Sequence, residues 1–200
     1  MAIPAWLIVN PTLGSGNASV SISALEYTGR VYRYYNLKVK TQTLQEIVGV
    51  GQAAKPLFLT VGDKTVSSDG GSVLITGKSN GEGVAFMSMP TSGDVNVQLT
   101  LPTSYIAAGI TVNMGTPIPG DPGASNEYDF SLTVDFPKNE TTKQRKAAIY
   151  VSSGGVSEMV YITQYEGVET LSTDPISVGV NYLGEDQVLN IISNTDWEIE

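Results

Sequence analysis

The chain has 200 residues, 41% of them hydrophobic, with mean hydropathy near zero; this fits one large or two small domains and argues against a disordered chain. Against 11 basic residues stand 20 acidic ones, a net charge of −9 that repels phosphate backbones and argues against nucleic acid as a partner. Neither cysteine nor histidine occurs, which removes disulfides, thiolate chemistry, the commonest general base and the usual zinc ligand. The expectation is a protein that is not an enzyme and holds no cofactor.

The opening "MAIPAWLIVNPTLG" lacks a basic n-region and a long apolar core, so it does not read as a secretory signal peptide. No apolar run reaches the ~18 residues of a membrane span, so no membrane partner is expected. Apolar residues then alternate with polar ones in "ASVSISAL" (18–25), "LKVKT" (37–41), "EIVGV" (46–50), "SVLIT" (72–76), "DVNVQLTL" (94–101), "YDFSLTVDF" (128–136), "AAIYVS" (147–152) and "MVYIT" (159–163). Each reads as a strand. Gly, Pro, Asn and Asp clusters separate them, the pattern of an all-β sandwich or barrel. No stretch holds a 3.6-residue apolar period long enough to predict a helix.

An internal repeat organises these strands. "RYYNLKVKTQTLQEIVGVGQ" (33–52) aligns without gaps on "RKAAIYVSSGGVSEMVYITQ" (145–164), at an offset of 112. Alternation alone accounts for the apolar matches, but not for Arg33 with Arg145, Glu46 with Glu158 and Gln52 with Gln164. The offset carries upstream, pairing Val20, Ile22 and Ala24 with Leu132, Val134 and Phe136. A second repeat relates "GGSVLITGKSN" (70–80) to "EDQVLNIISN" (185–194), with Ser79-Asn80 against Ser193-Asn194 and one small gap. Residues 56–167 therefore carry both ends of a module, residues 1–53 only a back and residues 168–200 only a front.

These fragments resemble the BACON module (Bacteroidetes-associated carbohydrate-binding often N-terminal), an immunoglobulin-like sandwich. Ser193-Asn194-Thr195-Asp196-Trp197-Glu198-Ile199 is similar to its SN-x-x-W-x-V segment. Trp6-Leu7-Ile8-Val9-Asn10-Pro11 through Asn17 is similar to its W-L-x-V-x-P-x-x-G-x-G segment, and Arg33 through Gln52 to its closing strand pair. The middle module lacks the tryptophans, though Asn139, Arg145 and Gln164 fit. The resemblance implies immunoglobulin-like β-sandwich modules, one complete and one split between the two chain ends. In the family's order the last segment of this chain precedes its first. Such modules occur in surface proteins of Bacteroidetes, often beside glycan-active domains, and in virion proteins of crAss-like phages.

A half sandwich exposes an apolar face and open strand edges, so something is expected to complete it: the other half of the same chain, a neighbouring copy, or another protein. A seven-stranded sandwich sends its termini out at opposite poles. Its strands alone span ~20–27 Å at ~3.3 Å per residue, which the short linkers barely retrace. Completion by a neighbour needs no return path. The expected assembly joint is Trp6, Leu7 and Val9 with Trp197 and Ile199. Both tryptophans also admit a sugar-stacking role, against plain packing between sheets.

"YTGRVYRYYNLKVK" (27–40) offers a contact patch of Tyr27, Arg30, Tyr32, Arg33, Tyr34 and Tyr35 for a glycan or an acidic partner. The plainer reading is a strand–turn–strand with half-buried tyrosines and lysines guarding an edge. Asp121, Asn126, Glu127 and Asp129 are oxygen ligands in type, but their spacing matches no calcium loop and a solvated loop explains them. "LGSGN" (13–17) lacks the Lys-Ser/Thr of a phosphate loop and reads as a turn. Asn17 and Asn139 head formal glycosylation sequons. Nothing brings together two of Asp69, Asp174 and Glu185 as a hydrolytic pair. The sequence thus points to a phage virion structural protein, an auxiliary capsid or head-fibre component. Its expected partners are copies of itself and other virion proteins such as the major capsid protein, with glycan a further candidate. The alternative is a secreted or surface carbohydrate-binding module.

Overall fold

The computed structural model describes residues 2–90, 97, 99–180 and 184–200. Two hairpin-like pairs come first: β1 (Leu7–Asn10) with β2 (Ser21–Ala24), and β3 (Arg33–Lys40) with β4 (Gln45–Gln52). Then follow β5 (Leu59–Val61), β6 (Lys64–Val66), β7 (Gly71–Ser79), β8 (Ala85–Met89), β9 (Ser104–Ala107) and β10 (Ile110–Asn113). A single helical turn, α1 (Pro122–Ser125), precedes β11 (Tyr128–Phe136), β12 (Arg145–Ser153) and β13 (Val156–Gln164). Last come β14 (Leu171–Asp174) and β15 (Asn190–Ser193), an antiparallel pair.

The chain is all-β, and its central part is a sandwich. One sheet has the order β10-β9-β11-β7-β5 and the other the order β6-β13-β12-β8. Strict alternation drives the packing: along β11, Tyr128, Phe130, Leu132, Val134 and Phe136 are buried while Asp129, Thr133 and Asp135 face water. They meet Ile149 and Val151 of β12 and Val160 and Ile162 of β13, all fully buried. The β12–β13 hairpin closes through Gly154 and Gly155, at φ 59° and 96°, the left-handed pair that a two-residue turn needs to match strand twist.

Several strands escape the alternation criterion because they are too short to show a period: β5, β6, β8, β14 and the hairpin of β9 and β10. In "DVNVQLTL" the expected strand does not form at the described positions. Val97 and Leu99 lie in the core without joining a sheet, and residues 94–96 and 98 fall outside the described residues. One helical turn stands where no helix was expected; Pro122 opens it, with φ already set for a first turn.

Candidate functional site

The sequence repeat is a structural repeat. Arg33 lies opposite Gln52, and Val39 opposite Glu46; Arg145 lies opposite Gln164, and Val151 opposite Glu158, in the same register. The repeated Arg and Gln form the same clamp twice. Arg33 donates from Nε (2.8 Å) and Nη2 (2.6 Å) to Gln52 Oε1, and Gln52 Nε2 donates to the Leu25 carbonyl at 2.8 Å. Arg145 donates to Gln164 Oε1 from Nε (3.1 Å) and Nη2 (2.6 Å), and Gln164 Nε2 donates to the Pro137 carbonyl at 2.9 Å. Leu25 and Pro137 stand at the same offset as the clamps. Each clamp ties the end of a strand pair to the strand entering it. Burial lowers the Arg145 pKa from its usual value.

Equivalence extends to the front of the module. In the complete sandwich β5 pairs β7 as Leu59 with Ser79 and Val61 with Gly77; β14 pairs β15 as Leu171 with Ser193 and Thr173 with Ile191. The loop after each Ser-Asn pair repeats too: the Gly81 amide donates to Ser79 Oγ and the Thr195 amide to Ser193 Oγ.

Asn80 and Asn194 are the hinge pins between successive units. Asn80 Nδ2 donates to the Thr28 carbonyl (3.2 Å) and the Pro56 carbonyl (3.2 Å), and its Oδ1 accepts from the Phe58 amide (3.1 Å). Asn194 Nδ2 donates to the Glu140 and Val168 carbonyls, both at 2.9 Å, and its Oδ1 accepts from the Thr170 amide at 2.9 Å. Every partner of the second set stands 112 residues after its counterpart in the first. The Lys55 amide to Gly29 carbonyl bond (2.9 Å) has its own twin in Gly167 to Thr141 (2.7 Å).

The first joint carries an added lock. Arg30 donates to both carboxylate oxygens of Asp121, at 2.6 and 2.5 Å, and lies 3.3 Å from Glu82. The hydrogen bond to Asp121 raises the Arg30 pKa further, against the opposing pull of burial. The Arg30 and Val31 amides donate to the Gly123 and Ala124 carbonyls of α1. Such close approach requires glycine at position 29, where a side chain would run into Ala124 and Ser125. Glu127 takes Lys55 at 3.1 Å and Lys78 at 3.3 Å, and the Lys55 bond chiefly lowers its pKa. The acidic oxygens of Asp121, Glu127 and Asp129, calcium ligands in type, therefore face cationic side chains, Lys78 lying 3.7 Å from Asp129.

Among the described residues, the inner faces of the two outer units have no cover. Leu37 is buried, but its neighbours on the same inner face are not: Val39 is 56% exposed and Val48 43%, where Val151 and Val160 are fully buried. Val20 and Ile22 are 48% and 42% exposed, where Leu132 and Val134 stand at 1%. At the other end Trp197 and Ile199 are 53% and 71% exposed. They follow Asn194 as Val84 and Phe86 follow Asn80, with one residue fewer between, and Val84 and Phe86 lie in the core. Of the expected joint residues, Leu7 is buried and Trp6 and Val9 are half-buried.

The tyrosine-rich segment divides between two faces. Tyr32 and Tyr34 lie on the outer face at 57% and 56% exposure, their rings crossing Gly51 and Gly49 of β4, where a side chain would clash. Arg33 and Tyr35 face the other way. Arg33 sits 4.5 Å from the Trp6 ring centre and 4.1 Å from that of Tyr27, and Tyr35 Oη donates to the Ala2 carbonyl at 3.1 Å. Tyr27 Oη donates to the Val31 and Ala124 carbonyls, and Arg30 is committed to Asp121. Tyr32 and Tyr34 thus share a surface that the other four do not. The hinge asparagines carry a signal in the sequence, the repeated Ser-Asn, but their role is visible only once both joints are seen.

No curated protein matches the chain. Residues 3–53 match the BACON family model, described as "Putative binding domain, N-terminal", so this stretch, the back unit with its clamp and open inner face, is BACON-type sequence.

Proposed function

We propose that this chain is a non-enzymatic structural protein that assembles head-to-tail, each copy joining the next by completing a split immunoglobulin-like module. The carrying observation is the paired burial: inner-face residues fully covered in the complete module stand about half exposed at equivalent positions of residues 2–53. Residues 168–200 hold strands of the type that residues 2–53 lack. A copy of β5, β7 and β8 is what would cover β2 and β3; β14 and β15 repeat the β5–β7 pairing, and Trp197 and Ile199 stand after Asn194 much as Val84 and Phe86 stand after Asn80. Covering a Val or Ile side chain contributes roughly 1.5–3 kcal/mol when burial is complete, so several open positions supply a substantial drive. A head-to-tail contact is heterologous and propagates into rings or filaments. The setting that the BACON resemblance offers for such a protein is a phage virion, as an auxiliary capsid or head-fibre component bound to other virion proteins. Absence of histidine and cysteine from the sequence supports the non-enzymatic part of the reading.

Light scattering behind size-exclusion chromatography tests it. The expected result is a set of masses that are multiples of 21.2 kDa and grow with concentration. A stable, compact monomer at micromolar concentration overturns it.

One observation favours a second reading, a carbohydrate-binding module. Tyr32 and Tyr34 present neighbouring exposed rings on one face, supported by glycines beneath. A glycan array on wild type and on Tyr34→Ala decides: binding lost in the variant supports this reading, and no binding by wild type removes it.

A further inference from the structure

We infer that the occupant of the open back unit is the front unit of a second copy, seated in one register: Leu189 opposite Val20, Ile191 opposite Ala18, and Ile199 beside Val39. This rests on the head-to-tail reading above and specifies its contact. In the complete module β11 pairs β7 as Leu132 with Ile75 and Phe130 with Gly77. The back unit maps onto β11 at an offset of 112, fixed by the two Arg–Gln clamps and the carbonyls they hold. The front unit maps onto β7 at an offset of 114, fixed by the shared pairing of Leu59 with Ser79 and of Leu171 with Ser193. Carrying both offsets through the β11–β7 pairing yields Val20 opposite Leu189. Ile75 is fully buried and Leu132 is 1% exposed; Leu189 and Val20 are 42% and 48% exposed.

The other sheet closes by the same template. β12 pairs β8 as Val151 with Phe86. Val39 is the counterpart of Val151, and Ile199 follows Trp197 as Phe86 follows Val84. The free edge of β3 therefore takes the Trp197–Ile199 segment, and the exposed indole enters the layer between the sheets that Val84 occupies in the complete module. Within one chain the described strands of the two outer units form separate two-stranded sheets, so both edges stand open. A one-residue slip turns every apolar side chain to the wrong face, so the register is a sharp claim.

A chain without cysteine suits a cross-linking test. Val20→Cys and Leu189→Cys are purified separately, mixed and oxidised; directly opposed residues in a ladder lie within disulfide reach. The expected product is a linked heterodimer, at a yield at least about tenfold above that from Val20→Cys with Asn190→Cys, since successive side chains of a strand point to opposite faces and position 190 turns away from position 20. Val39→Cys with Ile199→Cys serves as an independent second pair. Light scattering on the same samples separates the two levels of the claim. Copies that assemble while neither pair links overturn the register and leave head-to-tail assembly standing. A doubly substituted Val20→Cys/Leu189→Cys chain that closes on itself as a monomer overturns the second copy as occupant. Monomers without any link overturn both.

Discussion

The complete module and the back unit share a clamp, a strand register and a hinge, and differ in what lies over them. Ile149 and Leu37 occupy the same place in the same strand, and both are buried; one step along, Val151 is covered and Val39 is not. Local pairing is thus enough to set backbone register, because ladder hydrogen bonds and the Arg–Gln clamp involve only neighbouring strands. Burial of the inner face is a property of the second sheet. The comparison separates two things that usually come together in a sandwich: the hairpin, which a segment specifies for itself, and the core, which needs a partner.

The strongest way to break this separation is to cut the same cavity on both sides. Val151→Ala should cost about 1.5–3 kcal/mol, the worth of a fully buried valine side chain, because its site is fully enclosed. Val39→Ala should cost well under about 1 kcal/mol in the dilute chain, since a side chain already in water has little transfer energy to lose. Under the proposed head-to-tail assembly, Val39→Ala should instead weaken association between copies at higher concentration. Urea denaturation checks the first two, and the concentration dependence of mass checks the third. An equal loss for Val151→Ala and Val39→Ala in the dilute chain would mean that the back unit is already covered.

The two hinges offer a finer comparison. Asn80 is fully buried, and its amide holds carbonyls of three residues. Asn80→Ala should cost about 1–3 kcal/mol, the penalty for buried polar groups left without partners. Asn194 makes the same type of bonds at a half-exposed site, where water replaces lost partners, so Asn194→Ala should cost no more than about 1.5 kcal/mol. Thermal unfolding of both variants gives the order. Gly29→Ala probes the added lock at the first hinge: its methyl group meets Ala124 and Ser125, and overpacking of that kind costs typically about 1–3 kcal/mol.

Much of this architecture is legible in the sequence alone. Long strands such as 128–136 announce themselves by alternation, and the 112-residue offset announces the second copy of the β3–β4 pair. The clamp is visible as matched Arg and Gln without its geometry, since a hydrogen bond between residues 19 apart needs a hairpin to bring them together. Three- and four-residue strands such as β5 and β14 carry too few positions to show a period, and their pairing is set by the neighbour strand. The tyrosine segment misleads for a different reason. Tyr32, Arg33 and Tyr34 are adjacent in sequence, but strand geometry sends alternate side chains to opposite faces, so a composition-based patch cannot be one surface. Arg30 and Asp121 each stand out in the sequence by type; their pairing across 91 residues depends on how the hinge folds.

The smallest expected effect sharpens the difference between the hinges through pH. At the first hinge Glu127 sits between Lys55 and Lys78, whereas at the second the place of Lys55 is taken by Gly167, which has no cation to offer a carboxylate. The Lys55 hydrogen bond holds the Glu127 carboxyl below its usual value, with Lys78 adding to the effect. A depressed carboxylate favours the folded state in full above the unfolded value, near about 4.3, and loses that contribution as pH falls through the folded value. Acidification from about pH 6 to below about pH 4 should therefore loosen the first hinge more than the second. Hydrogen exchange, corrected for the intrinsic pH dependence, should show protection falling at the Lys55 amide, which donates to Gly29, and holding at the Gly167 amide, which donates to Thr141. In Glu127→Gln the difference between the two amides should no longer change with pH. If protection at both amides falls together in wild type and variant alike, acid is opening something the hinges share, and the ion pairs are not what distinguishes them.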